Sequence, residues 1–350
     1  IVHAATAFAK QKNRLGIYAC TSSIGPGATN MITGAATATV NRIPVLLLPG
    51  DSFSSRQPDP VLQQIETPWD HTINANSAFK PVSRYWDRIE RPEQLMVAAL
   101  NAMRVLTDPV ETGAATLCLP QDTQAEAYDY PDYFLAKRIW HIDRRPLNSR
   151  SLREATSLLS KAKKPLIIAG GGVHYSQAAD TLRDFAETFG IPVGETQAGK
   201  SAMSWKDSMS VGAIGVTGTS AANLLASDAD VVLVVGSRLQ DFTTASKQIF
   251  SPEVKLLHLN VSQYDGHKMD SAALQADAKS GLESLKESLQ TGGYQTSLEY
   301  RERISQLQSE WNVEVDRLYQ LTSEEGNVQT LIVGALNEFM APEDVVLCAA

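Results

Sequence analysis

Two stretches of the 350-residue chain carry residue types that could hold a small ligand. The first is SSIGPGATN, residues 22–30. It lies between an apolar run and an Ala-rich one, where a strand would pass into a helix. A helix start offers free backbone N–H groups and the positive end of the helix dipole. Gly25 and Gly27 would let a ligand approach the backbone closely. Pro26 suits a first helical turn. The second stretch is DSFSSRQPDPVLQQIE, residues 51–66. Here Arg56, Gln57, Asp59, Gln63, Gln64 and Glu66 crowd a loop stiffened by two prolines. On the residues alone, each stretch also fits a plainer reading. The first could be a tight strand-to-helix turn, and the second a surface loop with an Arg–Asp pair.

The elements that would position these residues alternate. Residues 15–20 predict a strand, 26–40 a helix, 45–48 a second strand closed by a Pro49-Gly50-Asp51 turn, 92–106 a helix and 114–119 a buried strand. Repeated βαβ units imply a mainly parallel sheet covered by helices. Residues 121–150 lose any period and read as a linker. A second α/β unit follows. Strands are expected at 165–169, 191–193, 230–236 and 255–261, with helices at 178–189, stopped by Gly190, and at 219–226. Residues 297–340 carry apolar side chains at helical spacing. The expectation is an α/β chain with two doubly wound parallel-sheet domains. Residues 1–145 form the first, 146–290 a Rossmann-like central domain, and 291–350 a helical linker with the first strand, from Val345, of a third.

The bulk numbers narrow the function. Hydrophobic residues make up 43% and charged residues 20%, as in ordinary globular chains. A net charge of −8 without a basic cluster argues against a nucleic-acid surface. No apolar run approaches the roughly 20 residues of a membrane span, and no signal peptide is evident. Cys20, Cys118 and Cys348 fit no metal or disulfide spacing and read as buried small hydrophobes of a cytoplasmic protein. His3, His71, His141, His174, His258 and His267 form no ligand pair, and no nucleophile elbow is present. The chain opens on what looks like the middle of a helix and closes on an apolar, strand-like run. It is therefore expected to be a piece of something longer.

Taken together and in order, the two stretches resemble the pyrimidine-binding domain of thiamine-diphosphate-dependent enzymes, acetolactate synthases among them. RQPDPVLQQ at 56–64, KPVSRYWDR at 80–88 and ETQAGKS at 195–201 resemble more closely the trihydroxycyclohexanedione hydrolases of inositol catabolism within that family. The resemblance covers essentially the whole chain. It implies thiamine diphosphate as cofactor, with Ser23, Gly25, Pro26, Gly27, Asn30 and Gln63 against it. Ser23 stands where a Thr is usual, and Leu62 where a Phe is common. It also implies Mg²⁺, a small polyhydroxylated diketone substrate, and a homodimer or homotetramer whose site forms between subunits. Arg56 and Gln57 are the residues expected to meet substrate, since a ring of hydroxyls needs dense hydrogen-bond partners. The implied reaction opens 3,5/4-trihydroxycyclohexane-1,2-dione to 5-deoxyglucuronate by adding water across a C–C bond.

The same resemblance assigns two features to positions outside this sequence. The catalytic Glu would precede Ile1, so no catalytic residue is assigned within the chain. The Gly-Asp-Gly motif that holds Mg²⁺ would lie in the third domain, so no metal ligand is assigned either. The chain alone is expected to be inactive. In the central unit, Gly170-Gly171-Gly172, residues 215–219 and residues 236–238 lie where acetolactate synthase holds FAD. They contain no dinucleotide fingerprint. A structural role is expected for them, and FAD is not. Two alternatives stay open. One is an acetolactate-synthase-like ligase or 2-oxoacid decarboxylase, and the other is a non-catalytic interaction module.

Overall fold

The computed structural model describes residues 1–324, 326–341 and 343–346. It divides into two compact units, Ile1–Arg144 and Arg145–Ala350.

The first unit is a four-stranded sheet. Its strands are β1 (Ala19–Ser22), β2 (Val45–Asp51), β3 (Tyr85–Arg88) and β4 (Ala114–Pro120), in the order β1-β2-β4-β3. All pairings are parallel. Alternate side chains sort to opposite faces. Val45, Leu47 and Ala114 join Val2, Ala5 and Phe79 in one cluster. Ala115 and Leu117 join Ile89, Ala98, Ala102 and Leu106 in another. Both faces are thus apolar and helix-covered, as a parallel sheet requires.

The second unit is a six-stranded parallel sheet. Its strands are β5 (Pro165–Ala169), β6 (Val193–Glu195), β7 (Ser210–Ala213), β8 (Val231–Val235), β9 (Lys255–Asn260) and β10 (Ala272–Gln275). The order β10-β9-β8-β5-β6-β7 reverses direction between β5 and β8, which is the doubly wound arrangement. Cys20 and Cys118 are buried free thiols. Cys348 lies outside the described residues, as does most of the strand expected from Val345. No helix among the described residues is long and apolar enough to cross a membrane.

Several expected elements differ in detail. Residues 26–40 form two helices, Pro26–Thr29 and Ile32–Val40, with a break at Asn30 and Met31. The Pro49-Gly50-Asp51 turn is instead the end of β2. The short strands β3, β7 and β10 have no strand expectation in the sequence. Their partners, not their own periodicity, make them strands. The helix Leu298–Tyr319, expected as a linker, packs Tyr300, Ile304 and Leu307 into a core of the second unit with Leu166 and Ile168. The Tyr300 hydroxyl donates to the Pro165 carbonyl at 2.9 Å.

The glycines at the strand-order reversal hold backbone against backbone. The Gly172 amide donates to the Gly236 carbonyl at 2.9 Å, and the Gly170 amide to Val235 at 2.8 Å. A Cβ on Gly172 would stand 2.6 Å from the Gly236 Cα. The loops after β5 and β8 therefore touch backbone to backbone at the strand-order reversal.

Beside this contact His258 is fully buried on β9. Its Nε2 lies 2.7 Å from the Ser237 carbonyl, which also accepts from Asn260 Nδ2 at 2.8 Å. Burial holds the imidazole below its ordinary value, against the pull of Ser237 and Asp265. A base with a lowered folded pKa binds its proton more readily when unfolded. The stability it contributes is complete above the ordinary imidazole value of about 6.5 and is lost as pH falls through it. Urea midpoints should therefore decrease between about pH 7.5 and pH 5, and His258→Gln should flatten that slope. An unchanged slope in the variant would assign the decrease to other groups.

Candidate functional site

The turn between β1 and the helix Pro26–Thr29 is built on two glycines. Gly25 caps the helix with φ 65° and ψ −122°, a region open only to glycine, and Pro26 follows at the first helical position. A Cβ on Gly25 would stand 1.9 Å from the backbone carbonyl oxygen of Gln63. The turn and the Gln-bearing loop, nearly forty residues apart in sequence, therefore meet backbone to backbone. A Cβ on Gly27 would stand 2.3 Å from Ser23 Oγ, so the Ser23 hydroxyl folds over that glycine. The Ser22 hydroxyl beneath is buried with no hydrogen-bond partner. Ser23, Pro26, Asn30 and Gln63 are all exposed.

Below this edge a cleft of about 770 Å³ opens at the C-terminal end of the sheet. That is an ordinary size for a small-molecule site. Gly25 and Arg56 line it, together with Asp59, Gln64, Glu66 and His71. Gln57 is exposed and does not line it. Arg56 and Gln63 both hold left-handed backbone, with φ 59° and 67°. For such residues this costs on the order of 1 kcal/mol and marks loops whose shape is enforced from outside. Part of that enforcement is visible. Gln64 accepts from the Val61 amide at 3.1 Å and donates to Asp59 at 3.0 Å. The other oxygen of Asp59 lies 3.5 Å from His71 Nδ1.

The root of the loop is tied by charge. Asp51, at the end of β2, is almost fully buried and takes the Nε–H of Arg88 at 2.8 Å. Arg88, at the end of β3, also reaches the Ser52 carbonyl at 3.1 Å and the Glu90 carboxylate. Burial disfavours the Arg88 charge, but Asp51 and Glu90 outweigh it and hold its pKa above the ordinary value. Asn76 donates to the Gly50 carbonyl at 2.9 Å, and its own Oδ1 is buried without a partner. Trp86 donates to the Asn76 carbonyl at 3.0 Å and carries Lys80 over its ring at 4.3 Å. Among the described residues, no group of three or more His, Cys, Asp or Glu could hold a metal ion.

The structure thus joins Gly25 to Gln63 and Ser23 to Gly27. It places Gly25 and Arg56 at the cleft wall, and it leaves Ser23, Pro26, Asn30, Gln57 and Gln63 exposed outside the cleft lining. Sequence reasoning misses Asn76 and Asp122, which belong to no motif, and it quotes Asp51 at the head of the second stretch without showing its role as the partner of Arg88. Arg88 sits inside the quoted KPVSRYWDR run, but nothing in that run shows which residue it pairs with.

Residues 1–72 match the family model "Thiamine pyrophosphate enzyme, N-terminal TPP binding domain", and residues 152–285 match "Thiamine pyrophosphate enzyme, central domain". Among curated proteins, a 3D-(3,5/4)-trihydroxycyclohexane-1,2-dione hydrolase of Clostridium tetani is 49% identical, covering 100% of this chain and 58% of that protein. The Clostridium perfringens enzyme of the same name is 53% identical over 97% of this chain and 53% of its own length. One from Bacillus cereus is 54% identical over 92% and 50%. The chain spans about half the length of these relatives.

Proposed function

The chain belongs to the thiamine pyrophosphate enzymes, and we propose that it supplies one wall of the active site of a hydrolase that opens a cyclic 1,2-diketone. The observation that carries this reading is the meeting of Gly25 with the Gln63 carbonyl. It brings the glycine turn and the polar loop into one surface.

The residues fit thiamine diphosphate on three counts. Gly25 and Gly27 let the Gln63 carbonyl and the Ser23 hydroxyl close onto the turn, so turn and loop present one surface. Ser23, Pro26, Asn30 and Gln63 are exposed on the turn, the helix end and the loop, where a flat heterocycle would have access to them. The cleft beneath has room for a six-carbon ring. When bound, the cofactor would act as electron sink for the carbanion left by C–C cleavage. The chain's own part is orientation. Gln63 offers an amide beside the cofactor edge. Arg56 offers up to five donors to carbonyl and hydroxyl oxygens of the substrate, while Gln57, on the same loop, is exposed and lies outside the cleft. Fixing the ring against these groups spares the reaction the entropy of alignment. The exposed edge also fits a site completed by a second surface, from a further domain or another subunit of a homodimer or homotetramer. Mg²⁺ would be held there. Buried, free Cys20 and Cys118 fit a reducing cytoplasm.

The full-length protein with thiamine diphosphate and Mg²⁺ should convert 3D-(3,5/4)-trihydroxycyclohexane-1,2-dione to a ring-opened acid, followed by chromatography of the product. Pyruvate should remain untouched. Turnover of pyruvate with an inert diketone would replace this reading by a synthase or decarboxylase.

A further inference from the structure

We propose that Asp122 is a positioning residue that aims Arg56 into the cleft. The proposal rests on the reading of that loop as the substrate loop. Asp122 lies in the short helix Gln121–Ala125, directly after β4. Its carboxylate reaches across to the loop after β2. Oδ1 accepts the Ser54 amide at 2.8 Å, and Oδ2 accepts the Ser55 amide at 2.9 Å. These are the two central amides of a turn closed by the Arg56 amide donating to the Phe53 carbonyl at 3.2 Å. A turn leaves such central amides pointing outward and unpaired. A carboxylate that takes both fixes the plane of the turn. Arg56 leaves the turn at its last position with a left-handed φ of 59°.

The opposite side is held by the opposite charge. Arg88 grips the Ser52 carbonyl and Asp51, so a cation takes the acceptors of residues 51–52 and an anion takes the donors of 54–55. The Ser54 hydroxyl and Thr123 Oγ1 both donate to the Glu90 carbonyl, at 3.1 and 3.2 Å, joining the ends of β2, β3 and β4. Burial pushes the Asp122 carboxyl up, and the amide bonds from Ser55, Ser54 and Thr123 outweigh it, so the group stays ionised and accepting. Charge-assisted bonds of this kind are roughly twice as strong as neutral ones.

Amide hydrogen exchange on this chain tests the clamp without any ligand. In Asp122→Ala, the Ser54 and Ser55 amides should exchange about tenfold faster or more, since a bond to a charged group contributes at least that factor. Asp122→Asn keeps an acceptor oxygen and should fall between. Kinetics of the full-length protein test the aim. Asp122→Ala should raise KM for the cyclic diketone about tenfold, while the thiamine diphosphate Kd stays within about twofold of wild type. Asp122→Asn should recover part of the loss, and it keeps the test open should the Ala variant fold poorly. Unchanged exchange at both serines overturns the clamp. Faster exchange with an unchanged KM overturns the aiming role. If the wild-type protein ignores the diketone, the proposed function falls, and the exchange result still decides the clamp.

Discussion

Gly25→Ala is expected to lower the affinity of the full-length protein for thiamine diphosphate about a hundredfold, equivalent to about 2.7 kcal/mol. Two costs combine. The backbone at φ 65° and ψ −122° is closed to an L residue, at about 1–3 kcal/mol. The new methyl would also stand 1.9 Å from the Gln63 carbonyl oxygen, which is backbone and must move bodily. The glycine turn and the Gln63 loop would part, and the edge proposed for the cofactor would lose its shape. Gly27→Ala is the contrasting case. Its methyl meets only the Ser23 hydroxyl, which can rotate away. That variant should lose no more than about tenfold. Titration calorimetry with Mg²⁺ present measures both. If Gly25→Ala binds within threefold of wild type, the edge does not hold the cofactor.

Arg88→Met should strongly destabilise the first unit. It leaves the Asp51 carboxylate buried with its cation gone, at a cost of roughly 3–5 kcal/mol. The Ser52 carbonyl loses a donor at the same time. Pairing Arg88→Met with Asp51→Asn removes the stranded charge and should restore most of the loss, because a buried ion pair is often nearly neutral against an uncharged replacement. Urea unfolding of wild type, both single variants and the double variant forms the cycle. A double variant no more stable than Arg88→Met alone would show that the stranded charge is not the cause. The loop between β2 and the Asn76 segment hangs from this root. In the full-length protein, Arg88→Met should therefore also raise KM for the proposed diketone substrate.

The sequence by itself determined the α/β class, the long buried strands β2, β4, β5, β8 and β9, and the two stretches proposed to form the site. These are local properties. Apolar runs mark strands buried on both faces, and a glycine–proline turn must lie where a strand passes into a helix. The family was legible for the same reason, since GPGATN and RQPDPVLQQ are contiguous words. The tertiary structure decided what depends on partners distant in the chain. It made strands of β3, β7 and β10, whose own patterns are weak. It showed that the glycines after β5 and β8 pack against each other. It brought Gly25 to Gln63, Arg88 to Asp51 and Asp122 to Ser54 and Ser55. No periodicity records such pairings, because each is a single contact across 37 to 68 residues fixed by sheet order. Of the residues the sequence named, Gly25 and Arg56 line the cleft, and the order β1-β2-β4-β3 brings Asp51, Arg88 and Asp122 to the root of the loop that carries Arg56.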